Sequence, residues 1–173
     1  LCAPKGVGAL IVRHRDRKRP PLTPLLLGGG QERGLRPGTL PVHLVVGLGL
    51  ASQLAVAEEA ERRHRCEATR EQVLEALTAA GGIINGDPGQ SVPHIVNASI
   101  PGLDSEAVIL ALRDIMSISN GSACTSASYE PSHVLTAMGL DDDTRRGAVR
   151  LSWGSEPIFP GSKEITSRLQ RLR

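Results

Sequence analysis

The chain has 173 residues, 40% of them hydrophobic and 22% charged, with a formal net charge of +2, which suits a globular protein with one core or two small ones. Near-neutral charge leaves no strong electrostatic footprint for nucleic acid, and the lone aromatics Tyr129, Trp153 and Phe159 cannot build a base-stacking platform. The widely spaced Cys2, Cys66 and Cys124 form no CxxC pair and no even-numbered disulfide set, which fits a reducing cytoplasm; no histidine lies at metal-ligand spacing, no signal peptide is visible, and no apolar run approaches the ~20 residues of a membrane span.

In chain order, Val7 to Val12 reads as a short apolar strand, followed by a charged turn from Arg13 to Arg19. Leu25 to Leu27 is a candidate second strand, ended by Gly28-Gly29-Gly30. A polar loop with Arg33 and Arg36 leads to Thr39, which reads as a helix N-cap with Pro41 in the first turn. That helix is apolar to Val56, charged from Glu58 to Glu71, and runs to Ala80, where Gly81-Gly82 stops it. Such length suggests an element linking two domains, with a kink. Ile83 to Asn85 reads as a strand into the turn Gly86-Asp87-Pro88-Gly89, and His94 to Ile100 as a longer strand. Asp104 caps a helix through Asp114. A short helix covers Ser132 to Met138, with Gly139 as its C-cap, and Asp141 to Thr144 reads as a turn. Ala148 to Trp153 alternates as a strand, with Val149 and Leu151 on one face and Arg150 and Ser152 on the other. Ser162 to Arg173 is a final helix. The second half is therefore expected to be a compact α+β unit.

Three features carry candidate chemistry. Cys124 sits in Ser119-Asn120-Gly121-Ser122-Ala123-Cys124-Thr125-Ser126-Ala127-Ser128, where the neighbours are too small and polar to bury a thiol. The segment is either an ordinary surface turn or a mobile loop that lets a thiolate reach a reacting atom. The glycine-rich run ending at Thr39 brings backbone N–H groups, a hydroxyl and a helix dipole together. It is either an anion site or simply a capped helix after a flexible loop. Arg150, mid-strand among apolar residues, needs a partner, either a structural carboxylate or that of a substrate.

Gly28 to Pro41 as a whole resembles a loop of the cysteine desulfurases, pyridoxal-phosphate enzymes of the class V aminotransferase group, and Ser122-Ala123-Cys124-Thr125-Ser126 resembles their cysteine-bearing loop. Ala3-Pro4-Lys5-Gly6-Val7-Gly8-Ala9-Leu10 is similar to the family segment just after the cofactor lysine. Asn85-Gly86-Asp87 and Val149-Arg150-Leu151-Ser152 match in order and spacing. The resemblance implies an α/β, aspartate-aminotransferase-like fold: residues 1–60 would end a large domain with a mainly parallel sheet, and residues 61–173 would form a small C-terminal α+β domain.

The resemblance also implies roles. Cys124 would be the nucleophile that takes sulfur from L-cysteine bound to pyridoxal phosphate, leaving L-alanine and a persulfide for an acceptor protein. Arg150 would bind the substrate carboxylate. Thr39 would contact the cofactor phosphate across a homodimer interface. No membrane and no direct nucleic-acid partner is implied. The cofactor lysine would precede Leu1, so the chain alone would be inactive, and Lys5 is not that residue. Ala3 and Pro37 replace the family's usual Gly and Ser, and Tyr129 is bulkier than the usual aliphatic residue. The sulfur would serve iron–sulfur clusters, tRNA thiolation or DNA phosphorothioation. Two other readings stand beside this one: another pyridoxal-phosphate aminotransferase or lyase, in which Cys124 is dispensable, and a non-enzymatic sulfur carrier.

Overall fold

The structure, a computed structural model, describes residues 1–13, 21–120 and 132–173. The sequence readings of the Arg13–Arg19 turn beyond Arg13 and of the Cys124 segment beyond Asn120 therefore fall outside the described residues. The chain divides into two compact units, Leu1–Glu59 and Ala60–Arg173.

The first unit is built around α1 (Val42–Ala57), preceded by a 3-10 turn over Gln31–Gly34. Its N-terminal segment lies close on α1: a Cβ at Gly47 would stand 2.6 Å from Pro4 Cγ, so only glycine admits the Pro4 ring there. No strand forms at Val7–Val12 or Leu25–Leu27, contrary to the sequence reading. A strand is held by hydrogen bonds to a neighbouring strand, and the described residues of this unit offer none. Leu10, Ile11, Leu25 and Leu27 are exposed, and α1 buries no residue.

A second correction concerns Thr39. Helix α1 starts at Val42 with Pro41 as its N-cap, so Thr39 lies outside the helix. The residue before a proline is driven to extended backbone, which excludes Leu40 from the first turn. The Pro41 carbonyl instead receives the N–H groups of Leu44 and Val45, at 2.9 and 3.0 Å. The long helix expected from residue 39 to 80 is interrupted at Glu58 (φ −104°, ψ 2°), dividing α1 from α2 (Glu59–Ala79).

The second unit has a three-stranded antiparallel sheet in the order β1 (Ile83–Ile84), β2 (Ile95–Ser99), β3 (Ala148–Ser152). Helix α2 buries Cys66, Thr69, Arg70, Val73, Ala76 and Leu77, a stripe at three- and four-residue spacing along one face. It ends as the glycine pair requires. Gly81 is left-handed (φ +75°), its N–H reaches the Thr78 carbonyl at 2.9 Å, and Gly82 N–H reaches that of Leu77 at 2.8 Å. Asp104 caps α3 (Ser105–Leu112) by accepting from Glu106 N–H at 2.8 Å. Short helices α4 (His133–Ala137) and α5 (Asp142–Arg146) follow, then β3 and α6 (Ser162–Gln170).

The segment read as a turn from Asp141 is therefore a helix. Asp141 accepts from Thr144 N–H at 2.9 Å and from Thr144 Oγ1 at 2.8 Å, a cap strong enough to nucleate one turn. The core joins Val73, Leu77 and Ala80 of the α2 end to Val96, Ala98, Val149 and Leu151 of the sheet, Val108 and Leu112 of α3, and Ile165 and Leu169 of α6. No single helix among the described residues is long and apolar enough to cross a membrane.

Candidate functional site

Strand β3 alternates as its sequence dictates. Val149 and Leu151 enter the core, and Arg150 points to the exposed face. The register then sets polar residues beside Arg150. Asn97 of β2 is its direct partner. On the other side Arg150 forms an isolated bridge with Ser119, donating N–H to the Ser119 carbonyl at 2.6 Å and accepting from Ser119 N–H at 3.1 Å. Both backbone groups of Arg150 are thus directed at Ser119, so Asn97 and Arg150 are a non-hydrogen-bonded pair, the kind with the closer side chains. Beyond Asn97, Asn85 N–H donates to the Asn97 carbonyl at 2.9 Å and extends the β1 pairing by one residue. Directly opposed residues share a face of a sheet. Asn85, Asn97, Arg150 and Ser119 therefore form one polar row across it.

A hydrogen-bond network holds one end of this row. Asn85 Nδ2 donates to Asn97 Oδ1 at 2.7 Å and to Ser99 Oγ at 2.8 Å, and Ser99 Oγ donates to the Thr144 carbonyl at 2.7 Å. The Asp141 carboxyl that caps α5 is held below its ordinary value, chiefly by the Thr144 backbone N–H and then by the Thr144 hydroxyl. Asn85 Oδ1 and Ser119 Oγ are buried without a hydrogen-bond partner. The following turn is braced from α2: the buried Arg70 donates to the carbonyls of Ile95 (2.9 Å), Val92 (3.1 Å) and Pro88 (3.3 Å).

Of the sequence-predicted site residues, Arg150 is placed as expected on an exposed strand face, and no carboxylate among the described residues pairs with it. The structural ion pair considered for it is therefore not found there. Cys124 lies outside the described residues; what is described is that its segment departs from the Ser119–Arg150 bridge. Thr39 is exposed in the first unit, beside Gly38, whose N–H is bound by Gln31 Oε1 at 3.1 Å. Helix α1 has no side-chain cap, so its first N–H groups are uncommitted. Sequence reasoning passed over Asn97 and Ser119. The available signal was a polar Asn two residues before Ser99 in the strand, on the same face as Arg150 if the two strands pair.

Comparison with known proteins adds four findings. The family model Aminotransferase class-V matches residues 1–156. The chain is 45% identical over 175 residues to the cysteine desulfurase IscS of Dechloromonas aromatica (strain RCB), covering 98% of this chain and 42% of that protein. Among solved structures it is similar to DndA from Streptomyces lividans, with 42% identity and a TM-score of 0.70 over 88% of this chain and 43% of that one. It is also similar to SspA in complex with cysteine, with 32% identity and a TM-score of 0.52 over 79% of this chain and 37% of that one. The chain thus spans about two fifths of the length of the relatives it matches.

Proposed function

The chain belongs to the class-V aminotransferase family, and from that premise we propose that the protein carrying it is a cysteine desulfurase that uses pyridoxal phosphate. Its α/β fold is the aspartate-aminotransferase-like fold of the solved relatives. We assign residues 1–60 to the end of the large cofactor domain and residues 61–173 to the small domain. The substrate is L-cysteine, in keeping with the IscS relative and with the cysteine bound to SspA.

Pyridoxal phosphate supplies the electron sink that labilises the substrate. The residues of this chain bind and orient. The exposed Thr39 hydroxyl, ahead of a helix start with uncommitted N–H groups, fits a phosphate oxygen. The Arg150 guanidinium receives the substrate carboxylate through two parallel N–H donors. The Cys124 thiolate attacks the substrate sulfur. The substrate C–S bond breaks as the new S–S bond forms, so cysteine and thiol become alanine and persulfide with no external oxidant. Cys124 then gives the terminal sulfur to an acceptor protein, for iron–sulfur clusters, tRNA thiolation or DNA phosphorothioation. A homodimer in which Thr39 serves the other subunit's cofactor, in a reducing cytoplasm, completes this reading.

The observation that carries it is the Ser119–Arg150 bridge. It ties the start of the Cys124 segment to the residue that receives the carboxylate. The test is to give L-cysteine to the full-length polypeptide, wild type and Cys124→Ala, and to measure alanine together with the mass of the protein. Alanine release and the gain of one sulfur atom, both lost in Cys124→Ala, are expected. Turnover indifferent to Cys124 moves the assignment to another reaction of the same cofactor. A polypeptide that binds no pyridoxal phosphate leaves the sulfur-carrier reading.

A further inference from the structure

The orientation of the Asn97 amide follows from its neighbours. The Thr144 carbonyl can only accept, so the single hydroxyl proton of Ser99, 2.7 Å away, is committed to it. The Asn85 amide atom 2.8 Å from Ser99 Oγ must then be the donor, Nδ2. That same nitrogen lies 2.7 Å from the amide of Asn97, whose facing atom must therefore be the oxygen. The chain of donors fixes Asn97 with Oδ1 toward Asn85 and Nδ2 on the other side of the amide, where no described residue accepts from it.

Arg150 is the cross-strand partner of Asn97 and a non-hydrogen-bonded neighbour, and its guanidinium also only donates. Asn97 Nδ2 and the guanidinium cannot bond each other, and no hydrogen bond joins the two side chains, so Asn97 does not anchor Arg150. Two donor groups side by side on one half-exposed sheet face, one of them cationic and neither with an acceptor among the described residues, are complementary to an anion. We propose that Asn97 is a second ligand of the anion received by Arg150, donating Nδ2–H to the α-carboxylate of the amino-acid substrate. The identity of that anion rests on the desulfurase reading above; the pairing of the two donors does not. Asn97 then helps to select amino acids over amines that lack the carboxylate.

The test is Asn97→Asp in the full-length, cofactor-loaded enzyme. Aspartate keeps the shape and still accepts from Asn85 Nδ2, so the network to Ser99 and Thr144 survives. It removes the outward donor and sets a like charge against the bound carboxylate. The readouts are KM and kcat for L-cysteine, calorimetric affinity for L-alanine, and melting temperature. KM is expected to rise, and alanine affinity to fall, by on the order of tenfold or more, the scale of one hydrogen bond to a charged group, with the melting temperature unchanged. A purely structural role leaves both KM and alanine affinity at wild-type values, and that result overturns the proposal. If Asn97→Asp does not fold, Asn97→Ala takes the same measurements with the same reading. Arg150→Ala separates the two levels. If it too leaves alanine affinity unchanged, Arg150 is not the carboxylate residue and the underlying assignment fails. If it weakens affinity and Asn97→Asp does not, only the role of Asn97 fails.

Discussion

Arg70 of α2 reaches across to the first residue of β2, its Nη1 donating to the Ile95 carbonyl at 2.9 Å. The same guanidinium holds the carbonyls of Val92 and Pro88, so one buried cation ties the helix to the loop between β1 and β2. That loop starts at Asn85, and β2 carries Asn97 two residues beyond Ile95. Replacing the fork with an apolar chain of similar length leaves three carbonyls without their donor. Arg70→Met is expected to lower stability by about 2–3 kcal/mol, the scale for leaving acceptors without the donor they had. Arg70→Lys recovers only part of this, since a compact ammonium cannot span three diverging acceptors. Urea unfolding of the full-length protein, followed by circular dichroism, measures both.

The Ser119–Arg150 bridge predicts a separation between backbone and side chain. Ser119→Pro removes the N–H that meets the Arg150 carbonyl at 3.1 Å and detaches the segment leading to Cys124. Small misplacements of a reacting group cost up to ~100-fold in rate, so persulfide formation on Cys124 is expected to slow by tenfold or more, on the order of that penalty. Ser119→Ala keeps both backbone bonds and deletes only a buried hydroxyl that has no partner. Its rate and melting temperature are expected to match or slightly exceed wild type. Single-turnover mass measurements resolve the two. Equal slowing in both variants would show that the hydroxyl, not the bridge, matters.

Gly147 predicts a cost of a different origin. Its φ of −84° is ordinary, so conformational freedom does not explain the glycine. A Cβ there would stand 2.7 Å from the Leu103 carbonyl oxygen and 3.0 Å from that of Ile100. Both obstacles are backbone, so neither can rotate away. Gly147→Ala is expected to cost about 1–3 kcal/mol through overpacking. Because Gly147 immediately precedes β3, the strand would shift with it. A melting temperature equal to wild type would contradict the contact.

These cases show which parts of the molecule were legible in the sequence. In the second unit the elements carry local signals: the helix that runs to the Gly81 stop, the Asp104 cap, the alternation of Val149, Arg150 and Leu151. All of these elements close on one core, so local pattern and packing agree. Asp141 has the same cap signal as Asp104, but only five helical residues follow it, too few for periodicity to distinguish helix from turn. The first unit is different. Val7–Val12 and Leu25–Leu27 have strand composition, yet a strand exists only where a partner meets it, and apolarity alone does not supply one. At Thr39 the restriction that Pro41 imposes on Leu40 overrides the N-cap chemistry of the threonine. Arg150 stood out as a charge in an apolar strand, whereas Asn97 and Ser119 became visible only through register, which no single segment encodes.

The cap on α5 gives the fold a defined acid sensitivity. The Asp141 carboxylate accepts two hydrogen bonds from Thr144, which lower its pKa from the ordinary 3.8. A group whose pKa is lower folded than unfolded contributes stability that is complete above the unfolded value and is lost as pH falls through the folded one. The loss from Asp141 is therefore expected only below about pH 4, the range of an unperturbed aspartate. Thr144 also accepts from Ser99, so loosening the cap reaches the Asn85–Asn97 network. Asp141→Asn separates charge from capping, because asparagine still accepts the Thr144 N–H but does not titrate in this range. Its stability is expected to be slightly lower than wild type at neutral pH and to fall less steeply between pH 4 and pH 2, a window set by the same carboxylate range. Urea midpoints measured at intervals through that window decide the matter: parallel curves for the two proteins would remove Asp141 from the account.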